Sequence, residues 1–266
     1  MKSSIEETSL EDIVNVDLHP FQNLEFQQQC KGTLNEKGVL VLEKFLKFPV
    51  IEAVKQEGKK NQHLAFFTDS NHNIYLKPTA PGFPAIHPRN REVISSKGCI
   101  TTDQIPMESA LRTLYDADGF RQFLCRVLGE SSLYEYADPL SSINLHYASV
   151  GQELGWHFDN SSFAITLMIQ KPLSGGRFEY VKDVRDADRG DMNYELSGKI
   201  LDGKVEAQGL AMDDGALVLF RGRNSMHRVT PVEGDMTRML VVLAYNTEPN
   251  IALSESARMT FYGRLQ

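Results

Sequence analysis

His157 and Asp159 stand two residues apart in Gly155-Trp156-His157-Phe158-Asp159-Asn160, and a second imidazole, His227, lies far downstream between Phe220 and Pro231. In an extended strand, residues i and i+2 project from one face, so His157 and Asp159 can grip one ion side by side. Two imidazoles and one carboxylate, with coordination positions left over, suit non-haem Fe(II) oxygen chemistry. An HxD pair alone carries little, because a strand histidine is more often a hydrogen-bonded structural residue. Arg238 adds weight: it follows His227 across the turn Glu233-Gly234-Asp235, on a run of strand formers. A guanidinium fork matches a carboxylate in a bidentate pair. A dicarboxylate held there at one end could chelate the ion with the other, leaving one octahedral position for dioxygen. Zinc hydrolases also use His and carboxylate ligands, but they need a general base beside the bound water and have no use for such an arginine.

These residues need strands to hold them, and strands dominate after residue 133. Ser142 to Tyr147 alternates, Phe163 to Ile169 is an apolar run, and Gly175 to Val181 reads as a turn into a strand. Ala216 to Phe220, His227 to Val232 and Arg238 to Tyr245 supply three more. Short strands at this density predict a two-sheet barrel of the jelly-roll type. Lys182 to Asp214 is polar, rich in Asp and Gly, and reads as an excursion with a hairpin.

The first half reads differently. A polar, loosely held arm is expected to about Pro20, then a helix from Phe21 to Leu34 with Phe21, Leu24, Phe26 and Cys30 on its apolar side. Gly38 to Leu42 predicts a buried strand and Pro49 to Lys60 a second helix. Thr68 to Thr102, broken by Pro78, Pro81, Pro84 and Pro88, reads as a functional loop. Met107 to Leu128 predicts one long helix on the back of a sheet, stopped by Gly129. The expected fold class is mainly β with α (α+β): a double-stranded β-helix, cupin-like, flanked by N-terminal helices. One domain over 1–266 is expected, with 1–132 as helical support and substrate loop and 133–250 as the jelly-roll core.

Composition narrows the function classes. A net charge of −7 with scattered Lys and Arg argues against a nucleic-acid partner. No apolar run is long enough to span a bilayer, and Met1 to Glu7 has no apolar signal core. Cys30, Cys99 and Cys125 are an odd number at wide spacings, which fits a reducing compartment. A cytoplasmic protein acting on a small molecule is expected. No feature of the sequence specifies an oligomeric state.

HFD at 157–159, SGGRFEYV at 174–181, GALVLFRG at 215–222 and MHRVTPVEGDMTR at 226–238 resemble the Fe(II)/2-oxoglutarate-dependent oxygenases, over about residues 140–248. The helical first half and the ending Met259 to Arg264 more loosely resemble a narrower group, the lysine halogenases of the BesD type and their lysine-hydroxylase relatives. The resemblance implies His157, Asp159 and His227 as Fe(II) ligands, Arg238 on the distal carboxylate of 2-oxoglutarate, and Asn144 and Tyr147 as further cosubstrate contacts or inward structural residues. In the similar halogenases a Gly replaces the carboxylate ligand and chloride takes its place. Asp159 fills that position here, so the resemblance implies a hydroxylase using Fe(II), 2-oxoglutarate and O2, with lysine as the free amino acid and C4 as the carbon oxidised.

For that substrate, Arg89 and Arg91 are candidates for the α-carboxylate and Glu135 and Asp138 for an ammonium. Asn160 and Asn246 are candidate neutral partners. Trp156, the only tryptophan, could wall the pocket or offer a cation–π face. Each could equally be an ordinary surface or packing residue. The alternatives are the same chemistry on a protein-bound or carrier-tethered residue, and a non-catalytic metal- or ligand-binding jelly roll.

Overall fold

The computed structural model describes residues 9–266. The expected loose arm is docked wherever it is described: α1 (Leu10–Ile13) carries a Ser9/Asp12 capping box, and Ile13 and Val14 are fully buried. Residues 1–8, the start of that arm, lie outside the described residues. Helix α2 (Leu24–Lys37) is capped by Asn23, whose side chain accepts from Phe26 N–H, and stops at Gly38 in the left-handed region. Starting at Leu24 turns its face: Gln27, Cys30 and Leu34 are buried, while Leu24 is exposed. Strand β1 (Val39–Leu42) and helix α3 (Phe48–Asn61), with Pro49 in its first turn, match expectation.

The proline-rich stretch does not. It contains a long hairpin, β2 (Phe66–Asn73) with β3 (Glu92–Ile100), and only residues 74–91 form the loop between them. The predicted long helix is two, α4 (Ala110–Asp116) and α5 (Asp118–Leu128), broken at Ala117, whose backbone is extended. Asp118 and Gly119 are weak helix formers, and the break lets buried aromatics face two ways. Tyr115 stacks on Tyr245, ring centroids 4.3 Å apart, while Phe120 packs on Phe45.

The strands then follow: β4 (Ile143–Ala148), β5 (Leu154–His157), β6 (Ala164–Gln170), β7 (Ser174–Gly175) and β8 (Phe178–Val181). The polar excursion holds a helix, α6 (Tyr194–Leu201), where a hairpin was expected, because Leu196 and Ile200 find an apolar patch around Trp156 and Phe158. After it come β9 (Gln208–Leu210), β10 (Leu217–Phe220), β11 (Met226–Val229), β12 (Val232–Glu233), β13 (Arg238–Leu243) and α7 (Glu255–Tyr262). One curled 11-stranded antiparallel sheet runs β1-β10-β6-β13-β4-β3-β5-β11-β8-β9 with β2 on β3, and β7 and β12 form a separate ribbon. This is the jelly-roll class expected, although the first half contributes three strands to it as well as helices. Among the described residues, no helix is long and apolar enough to cross a membrane.

Strand alternation gives the sheet two unlike faces. Leu145, Tyr147, Ile165, Leu167, Leu217, Leu219, Met239 and Val241 pack against the helices in the main core. The residues between them, among them His146, Thr166, Val218 and Leu240, line the interior cavity. Tyr147 is on the helix face, its hydroxyl donating to Gly58 O in α3 at 2.8 Å. Tyr147→Phe leaves that buried carbonyl without its partner and should cost about 1 kcal/mol in a denaturant titration, with no change in metal binding. A drop in metal affinity would place Tyr147 with the centre instead.

Candidate metal centre

Strands β5 and β11 pair antiparallel, with His157 opposite His227. The two rings lie 4.1 Å apart between centroids. Each Nδ1 donates to the carbonyl two residues back, Gly155 O at 2.8 Å for His157 and Ser225 O at 3.0 Å for His227. That fixes the tautomer and leaves both Nε2 atoms as lone-pair donors. They converge on Asp159 Oδ1, 3.8 Å from His157 Nε2 and 3.5 Å from His227 Nε2. All three ligand atoms lie within 4.8 Å of one another. Beyond the end of β5, backbone bonds from Phe158 N–H to Ile74 O and from Asp159 N–H to Gly222 O keep the chain extended, so Asp159 follows His157 on the same side.

The charge states suit a cation. Burial, then the neighbouring His227, pushes His157 down to about 3, so it is neutral near pH 7. Burial alone would raise Asp159, but His227, His157 and Lys97 together hold it below its ordinary value, as a carboxylate. Its Oδ2 is buried with no protein partner. A neutral His157, the His227 imidazole with its Nδ1 tied to a carbonyl, and an under-satisfied carboxylate make a fitting donor set for Fe(II). A supporting layer stands behind it: the Ser95 hydroxyl donates to His72 Nε2 at 2.6 Å and accepts from Gly155 N–H at 3.0 Å, which steadies the carbonyl that His157 uses. A Cβ on Gly222 would fall on Asp159 Oδ2, so glycine there is what lets the carboxylate reach the centre.

The centre opens into a cavity of about 290 Å³ inside the barrel. Arg238, at the start of β13, is 5% exposed and its Nε has no partner. A side chain on Gly176 would crowd both Val232 and the Arg238 stem, and its φ of +56° favours glycine, which accounts for part of the SGGRF pattern. Two residues that sequence reading missed also line the cavity. Lys97 lies on β3 and His146 on the neighbouring β4, where it pairs with Cys99, two residues beyond Lys97. Burial, then Lys97 and Arg238, keeps His146 well below its ordinary value and therefore neutral. The one signal for Lys97 was the alternation Ser95, Lys97, Cys99, hidden in a stretch that looked like loop.

Several expected site residues lie elsewhere. Tyr147 faces the helices, because its strand parity is odd where the cavity takes even positions. Asn144 shares the cavity parity, but its amide is used: Nδ2 donates to Leu140 O and Ile143 O, and Oδ1 accepts from Tyr262. Trp156 alternates away from His157 and packs outside the barrel, with Arg228 over its ring at 4.8 Å. Arg91 pairs with Asp202 and donates to Leu201 O at the end of α6, a favourable place for a cation. Asp138 is spent on Leu140 N–H, Ser141 and Leu253 N–H, and Glu135 is exposed and away from the cavity wall. Arg89 donates to Pro78 O and lies 5.6 Å over Tyr75, with its Nη1 buried and unpartnered. Asn160 is exposed next to Asp159, and Asn246 keeps a buried Nδ2 without a partner.

Two outcomes follow from this geometry. Gly222→Ala should push the flexible carboxylate aside and spare the backbone, so the protein folds but binds metal about 10- to 100-fold more weakly by competition titration. Unchanged affinity would show that Asp159 does not act at the centre. Metal-free protein should also lose stability as pH falls. His157 and His146 are held neutral when folded and take up protons near pH 6.5 only when unfolded, so the unfolded state binds more protons below that pH. Between pH 6.5 and 5 each should cost on the order of 2 kcal/mol, read as a falling midpoint in urea. A flat profile would contradict their burial.

A search of curated proteins found no match. Among solved structures, the chain is similar to a prolyl hydroxylase from Trichoplax adhaerens in complex with a hypoxia inducible factor peptide, at 13% identity and a TM-score of 0.56, covering 87% of this chain and 92% of that one. It is also similar to a 2OG-Fe(II) oxygenase family oxidoreductase from Burkholderia pseudomallei, at 13% identity and TM-score 0.53, covering 85% and 92%. A third is the non-heme alpha ketoglutarate dependent epimerase SnoN from nogalamycin biosynthesis, at 9% identity and TM-score 0.58, covering 84% of each chain. At such identities the likeness is one of fold. The family model described as Halogenase D matches residues 22–260, nearly the whole chain. The chain therefore belongs to the halogenase D family and is an Fe(II)/2-oxoglutarate oxygenase.

Proposed function

We propose that the protein hydroxylates a free amino acid, with 2-oxoglutarate converted to succinate and CO2. His157, Asp159 and His227 hold the Fe(II), and Arg238 takes the distal carboxylate of 2-oxoglutarate. The observation that carries this is one cavity holding a complete His/Asp/His donor set and a buried, unpartnered guanidinium. A hydrolytic zinc site would have no use for the arginine. The bound iron, cosubstrate and dioxygen supply the oxidising chemistry, while the protein positions the target C–H and keeps water out.

The family's name points to halogenation. In this chain Asp159 occupies the position that a halide would need, so hydroxylation is the reading for these residues. Lysine, oxidised at C4, is the first substrate to test, by likeness to the lysine-modifying members. Arg89, Asn160 and Asn246 remain as its candidate contacts. One observation favours a second reading. Among the described residues the acids on the cavity wall are Glu153 and Asp159 alone, and Phe163, Ile165, Met212, Val218, Leu240 and Val242 line much of the rest. An ammonium calls for carboxylates, so an amino acid with an apolar side chain fits that wall better. A cytoplasmic location accords with three cysteines that are all free.

Succinate formation across a panel of free amino acids, with Fe(II) added anaerobically and products weighed by mass spectrometry, separates these readings. Lysine gaining one oxygen supports the first, and turnover of apolar amino acids alone supports the second. Turnover confined to carrier-tethered or peptide substrates defeats both. Asp159→Ala should abolish hydroxylation, by about 100-fold or more. Near-normal turnover would remove Asp159 from the ligand set.

A further inference from the structure

The barrel interior holds two cations where one arginine would suffice for the distal carboxylate. Arg238 is 5% exposed, with its Nε buried and unpartnered. Lys97 is half-buried, and both residues line the cavity. Among the described residues neither forms an ion pair with a carboxylate, and neither side chain donates a hydrogen bond to the protein. Lys97, Asp159 and Arg238 all line this cavity, and both Asp159 and Arg238 are close enough to act on the Lys97 ammonium. Taking an unpaired charge out of water costs several kcal/mol, and among the described residues no ion pair or hydrogen bond to either side chain offsets it. His146, on the same wall, is neutral and offers no counter-charge. One buried and one half-buried cation with free donors facing one cavity are the complement of a dianion.

We propose that Lys97 is a second cationic anchor for 2-oxoglutarate, acting beside Arg238 so that the cavity matches the cosubstrate's two negative charges. It is a positioning residue: it touches the cosubstrate and takes no part in proton transfer. The inference rests on the oxygenase reading above, and the test keeps the two apart.

Protein loaded with Mn(II) in place of iron is titrated anaerobically with 2-oxoglutarate by calorimetry. Lys97→Met should bind 2-oxoglutarate about 10- to 100-fold more weakly than wild type, the range expected for one lost charge-assisted hydrogen bond. Lys97→Arg should restore most of the affinity. In the metal-free state Lys97→Met should melt at or above the wild-type temperature, since it removes an unpaired, half-buried charge; Lys97→Gln serves the same titration should the methionine variant misfold. Equal affinity in wild type and Lys97→Met sinks the proposal and leaves the oxygenase reading intact. So does a fall in Mn(II) affinity alone, with 2-oxoglutarate binding unchanged at saturating metal, because the lysine would then serve Asp159. Failure of wild type itself to bind 2-oxoglutarate overturns both.

Discussion

The site depends on the pairing of β5 with β11. It sets His157 opposite His227, and each imidazole gives its Nδ1 proton to a carbonyl of its own strand. Once those protons are placed, both Nε2 lone pairs must point inward. Asp159 then needs only to continue the extended backbone to complete the set. The ladder is the scaffold that brings these three side chains together, and rigid strands hold such geometry better than loops.

What surrounds the triad follows from the two-faced sheet. Alternate residues go to the helices or to the interior, and the helix side buries most of the apolar surface that stabilises the fold. The interior can therefore keep a cavity and tolerate unpaired polar groups. Asp159 Oδ2 and Arg238 Nε are buried without protein partners, a costly state that a bound cation and a bound carboxylate would relieve. The glycines at 176 and 222 serve the same end. One leaves room for the arginine stem and the other for the carboxylate tip.

Membership of the halogenase D family and the residue at position 159 pull against each other, and the second bears on the local chemistry. A family is a statement about ancestry and fold, whereas coordination depends on which side chain stands at the metal. Beyond the cavity, Trp156 on β5, Phe158 just past its end and Met226 on β11 pack on the outer side against α6, and Arg91 pins the 74–91 loop to that helix. Those contacts fasten the loop. They also explain why its arginine, so plausible as a substrate anchor in the sequence, is spent on structure.

Sequence alone was sufficient to single out the three side chains that the structure brings within 4.8 Å, the buried Arg238 and the jelly-roll class, because each rests on local rules: i, i+2 geometry, strand-forming runs, and donor chemistry that only certain side chains have. It was not sufficient where a side chain's meaning depends on which way its strand faces. Tyr147 and Trp156 sit one residue from inward positions, and a period of two sends them to the opposite side. Helix boundaries failed for a related reason. The break at Ala117 goes with where Tyr115 and Phe120 find partners, 129 and 130 residues away at Ala244 and Tyr245 for the first and back at Phe45 for the second, contacts no local window contains. Lys97 was hidden because it sits in Ser95-Ser96-Lys97-Gly98, the middle of β3, between the strand formers Val93 and Ile94 and Ile100. Those small and polar residues carry little intrinsic strand preference, and the ladder to β2 and β4 supplies what their own composition does not.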